Sequence, residues 1–134
     1  MAEASPSRGA DWSEREVERT VADYFDMLRA EMLGQSYNKA EHRRLLLATL
    51  AGRSEQAVEF KHATISAVLV HMGLPYIDGY KPMGHYQTLL AQEVTDYLAE
   101  YPDCLERLLR TAQLMSQANH RQRAENRPNH RRRL

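Results

Sequence analysis

Wherever this chain offers a helix-starting residue, apolar side chains follow three and four positions apart, and a glycine or proline then stops the run; that grammar admits little besides helices. Ser13 with Glu16 is a capping box, in which each side chain satisfies an otherwise orphaned amide of the first turn. Val17, Val21, Tyr24, Phe25, Leu28 and Met32 then repeat on one face, and Gly34 ends the segment. Asn38, with Glu41 three residues on, starts a second helix carrying Leu45, Leu46, Leu47 and Leu50, which Gly52 stops.

Ser54 caps a third segment whose apolar set is Val58, Ile65, Val68, Leu69 and Met72, closed by Gly73. Within it, branched Thr64 and Ile65 and the hydroxyl of Ser66, which competes for backbone bonds, predict a break or kink over 63–66. Residues 74–84, LPYIDGYKPMG, show neither a helical period nor strand alternation and read as a long Tyr/Pro/Gly loop. Tyr86, Leu89, Leu90, Val94 (or Glu93), Tyr97 and Tyr101 outline a fourth helix interrupted by Pro102. Asp103 is expected to cap a fifth, with Leu105, Leu108, Leu109, Ala112 and Met115. The expected fold is therefore all-α, a bundle of about five helices with a helix-turn-helix-like centre. A flexible leader is expected over 1–11, the helical domain over 12–118, and a basic, disordered tail over 119–134.

Charge is unevenly spread over this neutral chain. Residues 1–36 carry eight acids against four arginines, residues 37–81 six bases against four acids, and residues 82–118 five acids against two bases. Residues 119–134 hold six arginines and one acid. Such asymmetry speaks about partners more than the total does. With Cys104 as the single cysteine there is no internal disulfide, and a reducing, cytoplasmic setting is expected. No apolar run approaches the roughly 20 residues of a membrane span, and the first ten residues lack the charged-then-apolar order of a signal peptide.

Catalytic signatures are missing from the pattern. There is no Gly-rich phosphate loop and no nucleophile-elbow serine. The six histidines, His42, His62, His71, His85, His120 and His130, include no His-x-x-x-His pair, and one cysteine excludes zinc-finger spacing. The acids of the first helix read as a solvated face, and Cys104 as a buried structural thiol. No catalytic residue, metal site or cofactor is expected.

The basic middle has more to offer. Residues 42–62 run HRRLLLATLAGRSEQAVEFKH: a leucine-rich helix, a glycine turn, and a new helix with short polar side chains in its first turn. That is the plan of a DNA-reading helix pair as well as of a plain helical hairpin. On the first reading Arg43, Arg44, Arg53, Ser54, Gln56, Lys61 and His62 contact phosphates or base edges, although Glu55 and Glu59 would repel phosphates. In the loop, Tyr76, Tyr80, Lys81 and Tyr86 mix flat rings with a cation, which suits base stacking or a peptide groove. The same tyrosines equally serve to anchor a long loop to the bundle.

The stretch SYNKAEHRRLLLATLAGRSEQAVEFKHATISAVLVHMGLPYIDGYKP resembles a helical module found at the N-terminus of multidomain bacterial proteins. That module precedes HNH-type nuclease domains or a C-terminal domain like that of the plant protein NO VEIN. The matching motifs are Tyr37-Asn38-Lys39, Gly52-Arg53-Ser54-Glu55, Val58-Glu59-Phe60-Lys61-His62, Ile65-Ser66-Ala67-Val68-Leu69 and the loop from Gly73 to Pro82, within a similarity spanning about residues 12–100. The resemblance implies an accessory role near DNA processing, of the restriction or defence type, and no enzymatic activity, since no catalytic domain is expected here. The leading expectation is a non-enzymatic DNA-binding or DNA-targeting domain. The alternative is a protein-interaction module, as a homodimer or beside a separately encoded enzyme.

Overall fold

The structure is a computed structural model that describes residues 12–126. The expected leader 1–11 and the arginines from Arg127 onward lie outside the described residues. Five helices occur among them: α1 (Glu14–Met32), α2 (Lys39–Leu47), α3 (Glu55–His71), α4 (Thr88–Glu100) and α5 (Pro102–Asn126). No strand occurs among the described residues, and the all-α bundle expected from the periodicity is what forms. No helix among them is long and apolar enough to cross a membrane.

The helix starts follow their caps. Ser13 Oγ accepts from Glu16 N–H at 3.1 Å while Glu16 Oε1 accepts from Ser13 N–H at 2.9 Å. Asn38 Oδ1 and Ser54 Oγ do the same work for α2 and α3, accepting from Glu41 N–H and Ala57 N–H. The last two helices start differently from the sequence reading. Gln87 is the extended residue before α4, so that helix begins at Thr88 and leaves Tyr86 in the loop. The helix α4 ends at Glu100, just before Pro102 as expected, but Asp103 does not cap α5. It lies in the first turn of a helix that Pro102 opens, at a position where the proline's missing N–H has no partner to lose.

Two further expectations are corrected. The helix α3 runs unbroken through 63–66, because the Ser66 hydroxyl is taken by Tyr24 Oη at 2.6 Å rather than by its own backbone. The helix α5 continues to Asn126, into the segment expected to be a disordered tail. Residues 113–126 are exposed throughout, and they extend an already nucleated helix with good helix formers such as Gln, Ala, Arg and Met.

The core is built around α1, which packs against α2, α3 and α4, while α5 packs on α4. Val17, Val21, Phe25 and Leu28 of α1 meet Ile65 and Leu69 of α3, Leu90 and Val94 of α4, and Leu108 of α5. A smaller cluster of Leu46, Leu50 and Val58, with Trp12 against it, closes the α2 end. Five consecutive α3 residues, His62 to Ser66, are buried, so the middle of this helix is covered on every side, which is why its apolar stripe is weakly periodic. Cys104 is buried as expected, and burial pushes its thiol pKa up.

Candidate binding cleft

The long loop between α3 and α4 is fastened to the bundle at point after point. Ile77 N–H donates to Tyr24 Oη at 3.0 Å, Asp78 N–H to Glu31 Oε2 at 2.9 Å, and Lys39 Nζ to the Gly79 carbonyl at 3.0 Å. Met83 N–H donates to the Ala63 carbonyl of α3 at 3.3 Å. Tyr80 is buried under the Lys39 ammonium, 4.0 Å from its ring centroid, and against the His62 ring at 4.8 Å. Burial, and then the nearby Glu59 carboxylate, raise the Tyr80 phenol pKa. Burial likewise raises Tyr24 to about 12. Both phenols stay protonated at neutral pH. At the end of the loop Tyr86 Oη hydrogen-bonds to His71 Nδ1.

Docking this loop on α3 leaves a cleft of about 680 Å³, lined by Glu55, Gln56, Glu59, Phe60 and Ala63 of α3, Arg43 of α2, and residues 78–81 and Met83 on the loop side. Four of the residues singled out from sequence, Arg43, Gln56, Tyr80 and Lys81, meet there. Its apolar part is Phe60 and Met83, 49% and 54% exposed. The Phe60 ring lies close over Gly84: with φ at +78°, a Cβ on Gly84 would stand 2.8 Å from Phe60 Cζ. Only glycine allows that approach at that backbone angle without strain.

The remaining cations expected to form a positive face do not gather on it. Arg53 lies away from the cleft, its side chain 3% exposed, giving Nε and Nη2 to the two Glu16 oxygens at 3.0 and 2.9 Å. Its guanidinium also stacks 4.8 Å from the Trp12 ring, and the Lys61 ammonium lies at the same distance from that ring. Arg44 pairs with Glu41 at 2.7 Å, and Arg43, although it lines the cleft, is paired there with Glu59 at 2.5 Å. Ser54 spends its hydroxyl on the α3 cap, and His62, at 0% exposed, has no surface with which to touch a ligand. Tyr76 lines a separate hollow of about 440 Å³ against Ala112, Met115 and Arg123 of α5.

Sequence reasoning missed three partners. Asp23 joins three helices: its Oδ1 lies 2.7 Å from His42 Nδ1 and its Oδ2 lies 3.4 Å from His62 Nε2. Neither His62 nitrogen has a closer hydrogen-bond partner among the described residues. Glu16 is the second: its pKa is lowered, chiefly by the hydrogen bond from Arg53. Phe60 is the third, and its signal was legible, because an aromatic standing between Glu59 and Lys61 lies off the apolar stripe of α3. No group of three or more His, Cys, Asp or Glu side chains is placed to hold a metal ion among the described residues. Comparison of the chain with family models, with curated proteins and with solved structures finds no match in any of the three.

Proposed function

We propose that this domain is a protein-interaction module, and that its α3–loop cleft receives an apolar side chain from a segment of a partner protein. The observation that carries this reading is the half-exposed pair Phe60 and Met83 at a preformed cleft. Aromatic and methionine side chains left open to solvent beside fixed backbone are the anchors that protein interfaces use. Glu55 and Lys81 on the rim suit a partner with charges of both signs flanking its apolar anchor. The resemblance to modules that precede nuclease domains supports a partner concerned with DNA processing.

A displayed random-peptide library selected on the full chain tests this. The expected result is a consensus with one bulky apolar residue, whose binding is lost in Phe60→Asp and kept in Arg44→Ala. Enrichment of no consensus, or binding indifferent to Phe60→Asp, overturns it.

Direct nucleic-acid binding is favoured by a different observation, the exposed Arg121 and Arg123 on the far half of α5. The cations near Gly52 support it less, since Arg43, Arg44 and Arg53 are engaged by carboxylates. On this reading, affinity for duplex DNA falls with salt at a slope of about 0.9 per phosphate contact. Neutralising Arg121 and Arg123 flattens that slope, whereas Arg53→Ala does not. No binding to duplex or single-stranded DNA at low salt removes it.

A further inference from the structure

A second groove, of about 380 Å³, lies between α1 and α4 and shares no residue with the cleft. Glu14 and Glu18 line it from α1, and Glu93, Asp96 and Glu100 from α4, with no lysine or arginine in the lining. Acids on a surface are ordinary, but Glu93 is mostly buried and keeps only a small opening to solvent where it lines the groove. It is 8% exposed, and its carboxylate has no hydrogen bond or ion pair with a described residue. Burial, then Asp96, Glu18 and Glu14, push its pKa up. A carboxylate partly withdrawn from water without a protein donor is costly to keep charged, and the neighbouring Asp96, Glu18 and Glu14 add to the cost.

What such a groove lacks is a cation with several N–H donors. A guanidinium fits better than a metal ion, because it bonds carboxylates in a plane and is weakly hydrated. The five carboxylates are not grouped to converge on one ion. The wall beside them includes Tyr97 and Tyr101, whose rings pack against Phe25, each other and the Arg29 guanidinium, so the carboxylates are what the groove offers a guanidinium.

The densest supply of arginine in this chain is the segment 121–133, which holds six. Its first two members are kept from their own groove by α5 itself. That helix starts at Pro102, next to Tyr101 of the groove, and Arg121 stands roughly 29 Å further along it at 1.5 Å per residue. We propose that the α1–α4 groove binds the arginine-rich segment 121–133 of a second copy of this chain, with Glu93 accepting from one guanidinium at its base. Copies joined this way associate head to tail, as rings or open chains.

The test has two arms, both on the full chain at low salt. In the first, a labelled peptide of residues 119–134 is titrated against it by fluorescence anisotropy. In the second, sedimentation velocity tracks the mass of the chain over a wide concentration range. The expected results are saturable peptide binding and concentration-dependent association. Both are weakened at least tenfold by Glu93→Gln and left unchanged by Glu41→Gln, which removes the same charge from an exposed position elsewhere. Because Glu93→Gln removes an unpartnered buried charge, its thermal midpoint does not fall, so lost binding is not lost folding. Equal peptide binding by wild type and Glu93→Gln overturns the site. A lysine-for-arginine peptide that binds as tightly overturns the guanidinium. Peptide binding by a chain that stays monomeric at every concentration overturns the second copy as its source.

Discussion

On one side of α1, three carboxylates are each met by donors from distant parts of the chain. Glu16 takes both arms of Arg53, Asp23 takes His42 and faces His62, and Glu31 accepts from the Tyr37 hydroxyl at 2.7 Å and from the Asp78 amide. On the other side, Glu14 and Glu18 look across at Glu93, Asp96 and Glu100 with no base in the lining. One helix thus carries acids that staple the bundle and acids that strain it. The excess of acids over residues 1–36 says nothing about this division; the reach of the partners decides it. It also gives the two sides opposite responses to pH. The lowered pKa of Glu16 means stability that is present above the ordinary carboxylate pKa and is lost as pH falls through the lowered value. The raised pKa of Glu93 means stability that is full below the ordinary carboxylate pKa and is lost as pH rises through the raised value.

The sharpest way to break the comparison is Arg53→Ala. It strands Glu16, whose side chain is 10% exposed, and is expected to cost about 3 kcal/mol in urea unfolding at neutral pH; a loss under about 1 kcal/mol would make this pair a bystander. Next comes Glu31→Ala, expected to cost about 1.5 kcal/mol by removing the acceptor of two bonds. Its fingerprint is faster hydrogen exchange at the Asp78 amide, so unchanged protection there counts against the staple. Glu93→Gln has the opposite sign. It is expected to stabilise by on the order of 1 kcal/mol near pH 7, and its unfolding curve should merge with that of wild type as pH falls below the ordinary glutamate pKa. A gain that persists unchanged in acid would assign the effect to packing instead of charge. Smallest is Arg44→Ala, whose pair with Glu41 is 67% and 51% exposed and is worth less than about 0.5 kcal/mol. A larger loss would show that even the outer pairs of α2 bear on the bundle.

Local signals in the sequence carried the fold a long way. Ser13 with Glu16, Asn38 with Glu41, and Ser54 each start a helix through a bond spanning three residues, and such bonds can be read from spacing. The cleft could not be read in the same way. Its loop wall stands because Tyr24 reaches Ile77, 53 residues away, and Glu31 reaches Asp78, 47 residues away; no local pattern announces either bond. The arginines fail for the same reason. Arg53 looked outward beside Glu55, but its partner is Glu16, 37 residues back, and a long side chain can fold under the surface as easily as over it. Of the loop tyrosines, Tyr80 and Tyr86 tie the loop down, the anchoring role open to them, while Tyr76 lines the hollow beside α5.

The far half of α5 also fixes an angle. From Gln113 to Asn126 it has no packed face, yet as a continuous helix it transmits rotation: each residue rotates the next by about 100°. Deleting one residue there swings Arg121 and Arg123 more than a quarter turn about the axis, whereas deleting seven returns them nearly to their original bearing and merely shortens the shaft. The orientation of those arginines relative to the bundle is therefore set by residue count, like the pitch of a screw thread.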